Sequence, residues 1–220
     1  MHFNTFRESI KKLIAQQSSE WIIFGDAHIS DEQISYSDID FLINAVNYYK
    51  PKSLGLANMH IGDEQMMYLA PLLYDNANVE TLYFSFNLIG DKGAEALADL
   101  LIKNPYIKEL MLLRNKIGDK GMTALAGMLH HNTTLVKMEL FDNPFSKLSS
   151  AGFIEAIKCN QTIKTLLLYP ANDGIVLTDN HDQLQQEILR KRKHRMMLLN
   201  VNKRPTEEIS VYRKLHIRGW

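Results

Sequence analysis

Leucines and other apolar residues recur along this chain at a fixed spacing. Leu54, Leu82, Leu110, Met138 and Leu166 each lie 28 residues after the previous one. Two places later stand Leu56, Phe84, Leu112, Leu140 and Leu168, and three places earlier Pro51, Val79, Ile107, Leu135 and Ile163. Asn87, Asn115 and Asn143 follow five residues after the first column, where the 54 unit has Met59 with Asn58 one place early. Ile61, Ile89, Ile117 and Phe145 come next, then Gly-Asp at 62–63, 90–91 and 118–119. Each unit closes on Asn76, Asn104, Asn132 or Asn160. Self-similarity at such a period marks a repeat array.

Within a unit, period-two alternation sends Leu82 and Phe84 to one side of a short strand and Tyr83 and Ser85 to the other. Helical spacing follows at Ala94, Leu97, Ala98 and Leu101. Stacked units pair their strands in parallel and place the helices on the opposite side. Helices are wider than strands are spaced, so the stack curves with strands inside. The predicted fold is α/β, a horseshoe-shaped solenoid with parallel strands on the concave side, helices on the convex side and helical caps. An earlier, divergent unit is read from Ile22, with Phe24, Ile29 and Ser30-Asp31 in its columns and four extra residues before the 54 unit. That register points Trp21, Ile23 and Gly25 outward.

The units divide the chain into an N-terminal helical cap at 1–20, repeats over 21–180, a capping helix at 181–200 and a tail at 201–220. Phe3, Phe6, Ile10, Leu13 and Ile14 form the apolar stripe of the first cap. Turn asparagines are expected to bond unpaired backbone groups. Asp63, Asp91 and Asp119 are expected to accept first-turn N–H groups of the helices they precede. Asn104 and Asn132 are expected to take left-handed geometry at helix ends.

The column pattern I-x-x-L-x-L-x-x-N-x-I-G-D-x-G-x-x-x-L-A-x-x-L-x-x-N resembles the ribonuclease-inhibitor-type leucine-rich repeat. It is similar to the repeats of ribonuclease inhibitors, NOD-like receptors and the Ran GTPase-activating protein. The resemblance covers roughly residues 21–195 and is best over 79–165. It implies fold strongly and function hardly at all.

Charge and composition narrow the function. Lys plus Arg and Asp plus Glu are 25 each, which argues against a nucleic-acid coat. One cysteine excludes an internal disulfide framework and a multi-cysteine zinc site. The N-terminus lacks a secretory signal's apolar core, and no run reaches membrane-spanning length. The chain is therefore read as cytoplasmic, with no transmembrane segment.

The outward strand positions gather large side chains on successive units: Tyr83, Met111, Leu113, Phe141, Leu167 and Tyr169. With Arg114 and Asp142 at the edge, they are the candidate protein-binding site. Two readings of the patch stand open. Either a protein partner covers it, or the chain's own tail does, through Ile209, Val211, Tyr212, Leu215, Ile217 and Trp220. Arg114 is either a clamp for a partner's carboxylate or phosphate, or an ordinary exposed residue before its turn asparagine. The run Arg190-Lys191-Arg192-Lys193-His194-Arg195 is either a targeting signal or part of the last capping helix.

No catalytic residue is assigned. Cys159 reads as a semi-buried small residue. His28 and His60 share a column beside Asp31 and Asp63, but that aspartate column recurs without histidine, so no metal and no cofactor is expected. The functional expectation is a binding module for a protein partner, of unknown oligomeric state, and not an enzyme. The resemblance adds an alternative, regulation of a small GTPase. The length of the array and the Glu207-Glu208 block with apolar residues near the terminus are also similar to the repeat effectors that intracellular bacteria inject into host cells.

Overall fold

The computed structural model describes residues 3–25 and 34–168. The capping helix at 181–200, the tail, His28 and Tyr169 lie outside the described residues. Among the described residues, six strands form one sheet in sequential order: β1 (Glu20–Phe24), β2 (Ser53–Ala57), β3 (Thr81–Tyr83), β4 (Glu109–Met111), β5 (Lys137–Glu139) and β6 (Thr165–Leu167). Every neighbouring pair is parallel, and from β2 onward the register steps by 28 residues, as in Leu82 against Leu110 and Leu110 against Met138. The helices are α1 (Phe3–Ala15), α2 (Tyr36–Tyr49), α3 (Asp63–Leu69), α4 (Asp91–Lys103), α5 (Asp119–Met128) and α6 (Ser150–Cys159).

The inward columns and the apolar helix faces make one continuous core. Leu54, Leu82, Leu110 and Met138 are fully buried, as are Leu97 and Leu125 on the helices. Each repeat alone has no second layer to bury its leucines, so neighbouring units complete it. Pro71 lacks the N–H that an α-helix interior requires, and α3 gives way there to a 3-10 turn over Ala70–Leu73. Helix α1 packs on β1 and α2, with Ile10 buried and Arg7 Nε 2.6 Å from Asp38 Oδ1.

The first unit departs from the expected register. Trp21 pairs with Leu54 and Ile23 with Leu56, and both are buried. The Trp21 indole N–H donates to the Ser18 carbonyl at 3.0 Å. Ile22 and Phe24 therefore face outward. A slip of one residue exchanges the two faces of a strand; the run EWIIF is apolar on both, so its pattern did not choose.

Polar side chains join the units. Asn115 Nδ2 donates to the carbonyl of Phe84 in the preceding unit at 2.9 Å and to that of Leu112 at 3.1 Å. Its Oδ1 accepts from Ile89 N. Asn87 and Asn143 repeat the arrangement one unit either side. At the other end of the units, Asn104 donates to the carbonyls of Leu73 and Asn76, and accepts from Tyr106 N and Ile107 N. Asn104 has φ −94°, not left-handed geometry, because its side chain already closes the helix end. Asn132 is likewise absent from the left-handed residues and donates to Leu101 O.

The aspartates also act across units rather than within their own. Asp63 Oδ1 accepts from Gly90 N at 2.6 Å and Gly93 N at 2.9 Å, at the start of the next helix. Asp91 does the same for Gly118 N and Gly121 N. A Cβ on Gly93 would lie 2.8 Å from Asp63 Oδ1, and one on Gly121 2.9 Å from Asp91 Oδ1. The glycine of the G-D-x-G signature thus makes room for the preceding unit's carboxylate. After Asn143-Pro144 the signature ends, and Asp119 takes Ser146 N and Oγ instead.

Asn115→Ala strands the buried Ile89 N–H and takes one of two amide donors from each of the Phe84 and Leu112 carbonyls, which keep Asn87 and Asn143. It is expected to cost about 2 kcal/mol, measured by chemical denaturation, and Asn115→Asp is expected to cost more, because it sets a buried carboxylate against those carbonyl oxygens.

Candidate functional site

The candidate site is the sheet face opposite the helices. Its columns are read directly from the register: Ile22, Gly55, Tyr83, Met111, Glu139 and Leu167 down the middle, and Ala57, Ser85, Leu113 and Phe141 beside them. Small residues occupy β2 and large ones β4–β6. A Cβ on Gly55 would meet Ile22 and Tyr83 side chains at 3.0 Å, so those two close over the glycine.

The large apolar residues do not form a bare patch. Met111, Leu113, Phe141 and Leu167 are 2–6% exposed. Leu113, Phe141 and Leu167 cluster together, with Phe86 packed against them, apart from the main core. Tyr83 is half-buried; burial first, then the carboxylates of Glu109 and Glu20, hold its phenol above the ordinary 10. Between these groups runs a polar stripe. Glu139 is buried, its carboxylate 2.6 Å from Lys137 Nζ, and both residues engage further groups as well. Thr81, Glu109 and Thr165 are partly exposed.

Arg114 and Asp142 stand at the rim. They share a column with Asn58 and Phe86, and all four have positive φ, between 52° and 61°. Left-handed backbone is uncommon outside glycine, and here it turns the chain out of the strand just before the next residue enters the interior. Arg114 N still donates to Phe141 O at 3.1 Å, so sheet-like pairing extends to this row. Arg114 Nε is 3.0 Å from Asp142 Oδ2, and its guanidinium lies 5.6 Å over the Phe86 ring. Both charged side chains remain accessible, at 60% and 42%. The structure therefore gives Arg114 a neighbour in Asp142, whereas the sequence presented them as separate edge positions. Phe86, which lies in this column at the same spacing, was the missed member.

A second charged ladder lies at the strand entrances. Glu80 carboxylate oxygens are 2.7 Å from Lys52 Nζ and 2.6 Å from Lys108 Nζ, on the units either side. Hydrogen bonds from Lys108 and Lys52 lower the Glu80 pKa to about 2.

The other chemical candidates separate. Cys159 is exposed at the end of α6, not semi-buried, because α6 turns that position outward. His130 and His131 are exposed after α5. Among the described residues, no group of His, Cys, Asp and Glu is placed to hold a metal ion, and no helix is long and apolar enough to cross a membrane.

Residues 75–98 and 103–126 match the family model described as Leucine Rich repeat. The fold is a leucine-rich repeat solenoid. Two solved structures share this leucine-rich repeat architecture. The leiomodin-1 Actin-Binding Site 2 structure has TM-score 0.60 at 19% identity, covering 83% of this chain and 99% of that one. The tropomodulin C-terminal domain of Caenorhabditis elegans has TM-score 0.58 at 13% identity, covering 71% of this chain and 95% of that one. No curated protein matches the sequence.

Two outcomes test this geometry. Among the described residues, Ser85 Oγ is the buried side-chain oxygen without a hydrogen-bond partner. Ser85→Ala removes an unpaired hydroxyl and is expected to stabilise by about 1 kcal/mol, read by denaturant titration. For Glu80, a folded pKa below the usual 4.5 means its stabilising effect is complete above pH 4.5. The effect is lost as pH falls toward about 2. The difference in Tm between wild type and Glu80→Gln should therefore shrink over that range.

Proposed function

We propose that this chain is a protein-binding scaffold that works through the outward sheet face and its Arg114–Asp142 rim, without chemistry of its own. One observation carries the reading. The inward columns keep the repeat, as Leu54, Leu82, Leu110, Met138 and Leu166 do, while the outward column reads Gly55, Tyr83, Met111, Glu139 and Leu167. Packing of the sheet on the helices demands the first series and not the second. Tyr, Phe, Met and Arg are also side chains that interface centres favour. The rim supplies an accessible cation and anion beside an aromatic ring, suited to orienting a partner's charged groups.

Actin is the first partner to test, because the leiomodin-1 structure similar over 83% of this chain is that protein's Actin-Binding Site 2. Action in the cytoplasm belongs to the same proposal, and the Glu207-Glu208 tail supports its form as a bacterial effector in a host cell. The small-GTPase alternative rests on the repeat resemblance alone.

The test is binding of the full chain to monomeric and filamentous actin by cosedimentation and fluorescence titration. Arg114→Glu places a like charge beside Asp142 and should weaken binding at least tenfold, a change of about 1.4 kcal/mol. Its effect on folding should stay within about 1 kcal/mol, as for an exposed ion pair. Absence of actin binding overturns the choice of partner. Binding unchanged in Arg114→Glu and in Tyr83→Ala overturns the choice of face.

A further inference from the structure

We propose that Tyr36, Asp40 and Tyr68, on the helical side of the solenoid, take a lysine side chain from a basic segment of a partner protein. This surface is separate from the sheet face and its rim. Tyr36 and Asp40 are four residues apart on α2, which places them on one face of that helix, and Tyr68 meets them from α3. The Tyr36 and Tyr68 rings lie 4.7 Å apart, inclined at 48°. The Tyr68 hydroxyl donates to Asp40 Oδ1 at 2.8 Å. All three side chains are exposed, Tyr36 at 47% and Tyr68 at 38%. Two aromatic rings and a carboxylate thus meet at the surface. Both kinds of group attract cations, the ring through its quadrupole and the carboxylate through its charge.

Among the described residues, a ring and a carboxylate come together in this way three more times, and each time a cation of the chain completes the group. The Arg7 guanidinium lies 5.0 Å from the Phe41 ring centre, with Nε 2.6 Å from Asp38 Oδ1. Lys103 Nζ lies 4.3 Å over the Tyr74 ring and 2.8 Å from Asp99 Oδ2, and the Tyr74 hydroxyl donates to Asp99. Arg114 lies over Phe86 beside Asp142. The Tyr74 group is the nearest parallel, because there too a phenol binds the carboxylate, and its cation is an ammonium. Lys103 follows Asp99 by four residues on its helix. Four residues after Asp40 stands Asn44, exposed and uncharged. Among the described residues, no lysine or arginine pairs with Asp40. Charge around the site favours a basic partner: residues 13–91 hold 2 lysines and no arginine against 11 aspartates and glutamates. Such a field gathers cations over distance, and the ring pair beside Asp40 gives one place to hold them.

The experiment titrates the full chain with a fluorescein-labelled peptide of alternating lysine and glycine, followed by fluorescence anisotropy at low salt. Binding is expected to weaken about fivefold in Asp40→Asn, and about fivefold in the double variant Tyr36→Ala, Tyr68→Ala. Asp75→Asn removes the same charge from an exposed position outside the site, and should change binding less than about twofold. Asn44→Lys gives Asp40 a partner at the spacing of Asp99 and Lys103. It should weaken peptide binding at least as much as Asp40→Asn while the Tm stays at the wild-type value or rises. All five positions are exposed, and a cooperative thermal transition checks that each variant folds. Equal losses in Asp40→Asn and Asp75→Asn assign the binding to bulk acidity and overturn the proposal. So does binding that neither Asp40→Asn nor the double tyrosine variant weakens. Self-association of the chain that Asp40→Asn abolishes, seen by analytical ultracentrifugation, identifies a second copy as the occupant and also overturns it. These readouts contain no actin and leave the sheet face untouched, so they stand apart from the test of that face.

Discussion

Buried backbone must find hydrogen-bond partners, and in this solenoid each loop finds them in a side chain from the following unit. The loops between strand and helix run through the interior, where unpaired carbonyls and N–H groups are costly. Asn87, Asn115 and Asn143 answer this with an amide that donates to the unit before and accepts from it at once. At the opposite loops Asn104 and Asn160 donate to the unit before and accept from the N–H groups two and three residues after them. A side chain with both functions on one short stem fits that task, and asparagine recurs in the column at 87, 115 and 143.

Aspartate and glycine form the second inter-unit link. Asp63 and Asp91 each place a carboxylate on two N–H groups at the start of the next helix. The helix dipole favours an anion there, and the missing side chains of Gly93 and Gly121 admit it. The signature G-D-x-G is thus half of one contact and half of another. Its loss after Asn143 coincides with the change from glycine N–H groups to Ser146 as the partner of Asp119.

Most of this was legible in the sequence because the repeat forces identical solutions at identical spacing. Leu82, Asn115 and Asp91 announce their positions through their equivalents. Their partners were less legible: nothing in one unit says that Asp63 reaches Gly90 rather than its own helix. The first unit was misread by one place because Trp21, Ile22, Ile23 and Phe24 are all apolar, and alternation needs contrast. The candidate site was legible in its residues and not in its exposure. The columns placed Met111, Leu113 and Phe141 on the outward face, but burial of that face depends on what lies over it, which no 28-residue period encodes. Arg114 and Asp142 were found as edge positions, and their pairing followed only from the left-handed turn that both adopt.

Because every amide reaches backward along the chain, the units differ in what they owe their neighbours. Removing a unit from the C-terminal end strands backbone carbonyls and N–H groups that its asparagine held in the predecessor, whereas a unit lost from the front leaves its successor's glycine N–H groups without their aspartate. Damage at the two ends therefore differs in kind. A pulling force or a chaperone working from the last strand would peel units off like stitches, each one loosening the next.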